Sequence, residues 1–368
     1  MLRVTIVGCG AVGAAIAYEL SQVSGLEVVV LDRQFPPSHP KATAQDTATG
    51  AALGVLMGII SQKTQGRSWR LREASLRRYD TLIPELEAIT GVSIPYNCQG
   101  ILKLVQGEEE LPKWQQRVQV RATQGWGLEI WNCAQVQERC PHLEINGFDY
   151  AIYSPQDRQV DPVALTAALV DAAQRQGVEF QFGVAVEGLV STPQGVEIRA
   201  TTGVQKCDRA IIAAGIGSSA LQPWVKVLPV LGQAVCYQGQ VLGDPDFQPV
   251  ITANDVHLVP AARGEYWVGA TVEFPVEGDR PRAEAALLEQ VKQSAIAFCP
   301  GLSELTLVSA WSGLRPRPEG MSAPVIAPVP NQEFLWLATG HYRNGILLAP
   351  ATAQAVRDLI LSELETEN

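Results

Sequence analysis

The sequence predicts an α/β fold: a Rossmann-like nucleotide-binding domain and, further along the chain, a strand-rich region. Three observations carry this expectation. Residues 2–32 change periodicity twice, from a buried strand to an apolar-striped helix and back to a strand. A G-x-G-x-x-G triplet, Gly8, Gly10 and Gly13, stands where the first strand meets the helix. Residues 226–308, in contrast, are strand-rich with a single helix over 282–298.

Composition narrows the field. A chain of 368 residues is long enough for two domains or one large one, and 46% hydrophobic with 18% charged residues suits a compact globular protein. A net charge of −10 and no block of Lys or Arg argue against nucleic acid as a partner. Seven scattered cysteines, with no C-x-x-C pair, read as reduced thiols, which points to a cytoplasmic location. The four histidines lack metal-binding spacing, so no metal site is expected. The uncharged run from Val4 to Tyr18 is interrupted by glycines and is too short for a membrane span, and it is not read as a signal peptide.

The elements follow in order. The strand 2–7 empties into the glycine triplet. The first glycine permits the tight turn, the second lets a pyrophosphate approach the backbone, and the third lets helix and strand pack closely. Asp32, 19 residues beyond Gly13 at the end of the second strand, is placed to hold ribose hydroxyls. Residues 36–47 are rich in Pro and polar side chains and read as an exposed loop. The small residues from Ala48 to Gly54 allow close backbone approach or the packing of a helix start. A helical stripe covers 67–89, with a break or kink expected at Pro84. After short strands and polar helices to about residue 150, Asp161 is the N-cap and Pro162 the first residue of a helix that Gly177 ends. Another buried strand then runs into Ala214-Gly215-Ile216-Gly217, a second close-approach turn suited to a nucleotide.

Taken together, G8-C-G-A-V-G13, "ATGAALGVL" (48–56), "VDP" (160–162), "AIIAAG" (210–215), "VGAT" (268–271), "WSGLRP" (311–316) and "GHYRNGILLAP" (340–350) resemble the glycine oxidase and D-amino-acid oxidase family of FAD-dependent amine oxidases, above all the glycine oxidases of thiamine biosynthesis. The motifs stand in the family's order across nearly the whole chain. The resemblance implies the glutathione-reductase-like fold of amine oxidases, a Rossmann-like FAD-binding domain with an inserted α+β substrate domain built on a mainly antiparallel sheet. Its flavin domain would be assembled from 1–85, 150–225 and 305–368, and its substrate domain from 86–149 and 226–304. It also implies FAD as cofactor. Ala11, Val12, Asp32, Arg33 and Val186 would meet the adenosine half. Ala48, Thr49, Leu53, Gly54, Val55 and the backbone of His341, Tyr342, Arg343, Asn344, Gly345, Ile346 and Leu347 would meet the flavin.

Oxidising a C–N bond needs an electron acceptor that no side chain supplies, so a cofactor has to bring it. A substrate carboxylate is best gripped by a guanidinium. Arg315, set between Gly-Leu and Pro, is by resemblance that clamp, with Arg343 its companion. His257 stands where the family usually has a tyrosine that helps hold the carboxylate, and a histidine there could donate a hydrogen bond and titrate. No side chain is expected to act as catalytic acid or base, because positioning carries such a reaction. The expected activity is oxidation of glycine, sarcosine or a small D-amino acid, with oxygen as electron acceptor and hydrogen peroxide as product. Two readings stay beside it: a flavin dehydrogenase that serves a quinone or another acceptor, and a nonenzymatic flavin-binding protein. The sequence leaves homo-oligomer formation open.

Overall fold

A computed structural model describes residues 1–35, 47–261, 264–276 and 280–367. The loop expected over 36–47 lies outside the described residues, apart from Thr47. Two large sheets organise the chain. The first has six strands in the order Val325–Pro328, Leu335–Thr339, Arg209–Ile212, Leu2–Val7, Leu26–Asp32, Glu179–Phe182. All its pairings are parallel except that of the Val325–Pro328 edge. The Leu2–Val7 strand lies inside it between Arg209–Ile212 and Leu26–Asp32, and Val4, Ile6, Val28, Val29 and Val30 are almost completely buried. Strands covered on both faces read as continuous apolar runs, which is why these segments carry no alternation.

The helix Ala11–Ser21 packs on this sheet together with Pro162–Arg175 and the terminal helix Gly345–Glu367. Asp161 caps Pro162–Arg175 by accepting from the N–H groups of Val163 and Ala164 at 2.8 and 2.9 Å, as expected of an Asp before Pro. The helix Gly66–Thr90 continues through Pro84, so of the break or kink expected there the break does not occur. A proline costs one backbone bond and some crowding, and Tyr79, Leu82, Ile83 and Leu86, all buried on either side of it, offset that by packing.

The second sheet has eight strands in the order Thr306–Pro318, Val227–Gln238, Glu265–Gly269, Val256–Pro260, Val250–Ala253, Ile101–Val105, Tyr150–Ser154, Glu129–Asn132. Its only parallel pairing joins Val250–Ala253 to Ile101–Val105. One face carries the core that includes Leu102, Tyr237, Leu258 and Phe298 of the Ala285–Phe298 helix. Trp267, Trp311, Ala234, Val259, Ile101 and Ile152 on the other face join the core of the parallel sheet's helices. A three-stranded antiparallel meander, Val186–Thr192, Gly195–Ala200 and Gly203–Cys207, completes the nucleotide side.

Candidate active site

The glycine triplet works through backbone contact. Gly8 has φ +105°, and a Cβ on it would lie 2.6 Å from the Ala213 carbonyl oxygen. A Cβ on Gly13 would lie 1.9 Å from the carbonyl oxygen of Gly8, so the turn and the helix touch without side chains between them. Gly10 at the N-cap offers no side chain, and the first turn of Ala11–Ser21 holds no acid. Thr49 Oγ1 accepts from the Ala11 N–H at 3.0 Å, which brings the Ala48–Thr49 turn to the same helix end. Asp32 accepts from the N–H groups of Cys9 at 2.5 Å and Gln34 at 2.7 Å. Burial pushes its carboxyl up, and these bonds and the charge of Arg33 oppose the shift. The Val184 N–H bonds the Asp32 carbonyl at 3.0 Å, which sets Val186 close to that strand end. Gly215, with φ +55°, has open space where a Cβ would stand.

Gly54 has φ +71°, and its missing Cβ would fall 1.8 Å from the Val160 carbonyl oxygen, so the Leu53–Gly54–Val55 stretch is pinned to the Arg158–Val160 strand. Gln159 Nε2 donates to the Leu53 carbonyl at 3.2 Å. The motif 341–347 forms a tight turn, with Tyr342 at φ +54°, that feeds the N-terminus of Gly345–Glu367. His341 is buried and bonded to Thr352 Oγ1 at 2.9 Å, and burial pushes its imidazole down to about 3. Its side chain is therefore a neutral structural member, which leaves the His341 backbone for a ligand. Tyr79 donates to the Ile346 carbonyl at 2.6 Å and fixes the motif's backbone from outside.

The antiparallel sheet supplies the cations. Arg315 Nη1 donates to the carbonyls of Leu231 and Thr271 at 3.1 and 2.9 Å. The guanidinium lies over Gly232, where a Cβ would come 2.1 Å from Nη2. No carboxylate stands within ion-pair distance of it among the described residues. Burial, and then the charge of Arg343, pushes it down to about 10, so it remains charged at neutral pH. Arg343 reaches the exposed Asp255 at 3.9 Å. His257 Nδ1 is buried with no hydrogen-bond partner. Burial first, then Arg343, with further pressure from Arg315 and Lys103, pushes the His257 ring down to about 4. The pH sensitivity expected of this histidine is thereby moved well below neutrality, and the ring is neutral at pH 7. Trp267 and Trp311 meet edge to face at 6.2 Å, and Trp311 Nε1 donates to the Ala51 carbonyl at 3.2 Å, joining the sheet to the 48–55 segment.

The structure thus gathers Arg315, Arg343 and His257 into one electrostatic cluster, brings the Ala48–Thr49 turn to the start of Ala11–Ser21, and sets the 341–347 motif at the start of Gly345–Glu367. Gly232 and the carbonyls of Leu231 and Thr271 were not singled out in the sequence. A glycine inside the strand pattern "VLPVLGQAV" was the available signal, since glycine there marks close approach. Asp157 was also missed: buried, it accepts from the N–H groups of Gly58, Ile59 and Ile60 at 2.8, 2.8 and 2.9 Å and shapes the chain leaving the 48–56 motif.

These features suit an extended dinucleotide. The Gly8–Gly13 turn admits a phosphate backbone that a Cβ would exclude, and a helix start whose N-cap residue has no side chain attracts its negative charge. A parallel nucleotide sheet joined to a mainly antiparallel sheet that bears Arg315, a cation with no carboxylate partner among the described residues, suits a dinucleotide-dependent oxidoreductase acting on a carboxylate. The comparisons with known proteins agree. The FAD dependent oxidoreductase (DAO) family description matches residues 3–359, and the chain belongs to that family, with FAD as its cofactor. It is 32% identical to the bifunctional protein ThiO/ThiG of Nostoc sp. (strain PCC 7120 / SAG 25.82 / UTEX 2576) over 98% of this chain and 53% of that protein. The chain therefore spans about half the length of the bifunctional relatives it matches. It is 30% identical to the glycine oxidase of Geobacillus kaustophilus (strain HTA426), over 97% of this chain and 92% of that one. A crystal structure of glycine oxidase from Geobacillus kaustophilus superposes with TM-score 0.86 at 28% identity, covering 98% and 95% of the two chains. Among the described residues no helix is long and apolar enough to cross a membrane.

Proposed function

We propose that this chain oxidatively deaminates a small amino acid or amine, of the class of glycine, sarcosine or a small D-amino acid. The observation that carries the reading is Arg315, fixed by two carbonyls over Gly232 and left without a carboxylate of its own among the described residues. A substrate carboxylate completes it through a charge-assisted pair, with Arg343 and the His257 ring beside it. Gly8, Gly10, Ala11, Val12, Gly13, Asp32, Arg33, Val186 and Gly215 hold the adenosine and pyrophosphate half of FAD. Ala48, Thr49, Leu53, Gly54, Val55 and the backbone from His341 to Leu347 hold the flavin half. The flavin part of the chain then comprises 1–85, 150–225 and 305–368, and the substrate part 86–149 and 226–304.

Bound FAD supplies the two-electron acceptor that takes a hydride from the substrate's α-carbon. The chain's own work is positioning. Arg315 sets the carboxylate and so aims the α-carbon. The charges of Arg315 and Arg343 lower the pKa of a nearby ammonium, which favours the neutral amine that can lose a hydride. Loss of that hydride and of one N–H proton leaves an imine. Water converts it to the oxo acid and ammonia, or an amine from an N-substituted substrate. Oxygen accepts the two electrons and two protons, giving hydrogen peroxide. A cytoplasmic oxidase serving thiamine biosynthesis is the setting the resemblance suggests.

A panel of glycine, sarcosine, proline and D-alanine, mixed anaerobically with the holoenzyme, tests this: at least one should bleach the flavin, and air should then yield peroxide. Rapid dye reduction with no peroxide would replace the oxidase with a dehydrogenase. A flavin that no amine bleaches would remove the deaminase reading.

A further inference from the structure

The cationic face does not end at His257. His257 pairs with Thr252, and Thr252 with Lys103 on the next strand, so the three lie in one row on one face of the sheet. Two strand spacings, about 10 Å, separate the backbones of His257 and Lys103. The four-carbon stem of a lysine spans much of that gap. Lys103 makes no ion pair or hydrogen bond among the described residues, and holds Nζ 5.6 Å from the Trp114 ring centroid. Arg117 lies over the same ring at 4.0 Å, and its Nη1 is buried without a partner. Tyr150 is on this face too, two residues from Ile152, which pairs with Lys103. Tyr150 is only 5% exposed, yet its hydroxyl is buried without a partner. The helix Leu111–Thr123, which carries Trp114 and Arg117, covers the group.

Packing on Trp114 accounts for the stems of Lys103 and Arg117 and leaves their polar ends unexplained. A buried donor without an acceptor is costly, and here two donors, Arg117 Nη1 and the Tyr150 hydroxyl, lack a partner among the described residues, while Arg117 shares the Trp114 ring with Lys103. Four acids, Glu109, Glu110, Asp149 and Asp255, bring charge to the group, and three of them have partners of their own: Glu110 pairs with Lys113 at 2.5 Å, Asp149 accepts from the Gly107 N–H at 2.6 Å, and Asp255 pairs with Arg343. The charge of Lys103 is felt at the carboxylate clamp, since it contributes to depressing His257.

We propose that Lys103, Arg117 and Tyr150 form a second anion subsite, and that the preferred substrate is an amine bearing two carboxylates, one held by Arg315 and the other beneath the Leu111–Thr123 helix. This rests on the deaminase reading for the word substrate, but the subsite itself does not. The oxidised carbon lies between the two anchors, so a second carboxylate removes one rotational freedom of the bound amine.

The test separates the two claims. Perturbation of the flavin spectrum of the holoenzyme is titrated with succinate and glutarate against propionate and butyrate, none of which can be deaminated. The dicarboxylates should bind about tenfold or more tightly. That advantage should vanish in Lys103→Met and Arg117→Met and survive in Lys103→Arg. Tyr150→Phe, which removes one oxygen and keeps the ring, should reduce it about threefold. Anaerobic flavin reduction by iminodiacetate and D-aspartate against sarcosine and D-alanine should show the same preference in kcat/KM. Equal binding of mono- and dicarboxylates by the unaltered protein, or an advantage that persists in both methionine variants, overturns the subsite. A dicarboxylate advantage in binding with no bleaching by any amine keeps the subsite and rejects the deaminase. Bleaching by amines with no dicarboxylate advantage does the reverse.

Discussion

The two ends of the site are built from different materials. At the glycine turn the recognition surface is backbone: Gly8, Gly10 and Gly13 matter for the atoms they lack, and Asp32 spends its oxygens on the N–H groups of Cys9 and Gln34. On the antiparallel sheet the surface is side chain: Arg315, Arg343, His257 and Lys103 come from four separate segments, and all but Arg343 belong to strands of that sheet. At Gly8 and Gly13 the backbone end has no room for an added atom, whereas side-chain changes at the cationic end are expected to alter substrate preference. Tight, generic cofactor binding and tunable substrate choice can therefore coexist in one chain.

Substitutions should separate the two ends, the largest effect first. Gly13→Ala places a methyl group 1.9 Å from the Gly8 carbonyl oxygen, and the expected product is a destabilised chain purified without flavin. Full flavin content in that variant would show that the turn can yield, contrary to the backbone account. Arg315→Met should weaken carboxylate binding about 100-fold or more while flavin content stays complete. The measurement is the substrate dependence of anaerobic bleaching, and unchanged affinity would remove Arg315 from the clamp. Gly232→Ala inserts a Cβ 2.1 Å from Arg315 Nη2 and should displace the guanidinium, for a loss of about 10-fold with flavin retained. An effect on flavin content instead would mean that Gly232 serves the fold rather than the clamp.

The smallest effect concerns pH. His341 and His257 are pushed down to about 3 and about 4, from the usual value of about 6.5. The unfolded chain takes up their protons as pH falls below about 6.5, while the folded chain resists until about 4 and then about 3. Both rings thus contribute stability that is present above pH 6.5 and declines on acidification through that window. Denaturation followed between pH 7 and pH 4 should show a shallower loss in His341→Asn, at the cofactor end, than in the parent. An identical pH slope would mean that its imidazole is accessible to protons in the folded state.

Legibility in the sequence followed the same division. The βαβ unit and the Asp161 cap are local devices whose residues adjoin in the chain, so spacing alone reveals them, whereas the 341–347 segment was marked only by the family resemblance. Arg315 was visible through its rigid Gly-Leu-Arg-Pro setting. The carbonyls that hold it were not, because Leu231 and Thr271 meet it only through strand pairing across 84 and 44 residues. Lys103 reads as an ordinary strand lysine until Thr252 and His257 are seen in register beside it. The passage of Gly66–Thr90 through Pro84 was likewise hidden, since the packing that sustains that helix comes from partners far along the chain, among them Ile346, whose carbonyl Tyr79 holds.

The order of strands has a consequence for how the protein is made. The parallel sheet places Leu2–Val7 beside Arg209–Ile212, and the latter beside Leu335–Thr339. The antiparallel sheet waits for Thr306–Pro318 to pair with Val227–Gln238. Neither sheet can be completed on the ribosome until the Thr306–Pro318 and Leu335–Thr339 strands have emerged. At the usual pace of synthesis, about 5–20 residues per second, the apolar Leu2–Val7 strand stays without its Arg209–Ile212 neighbour for roughly 10 seconds or more. Such a delay makes folding slow and leaves the nascent chain dependent on protection from aggregation until those strands arrive.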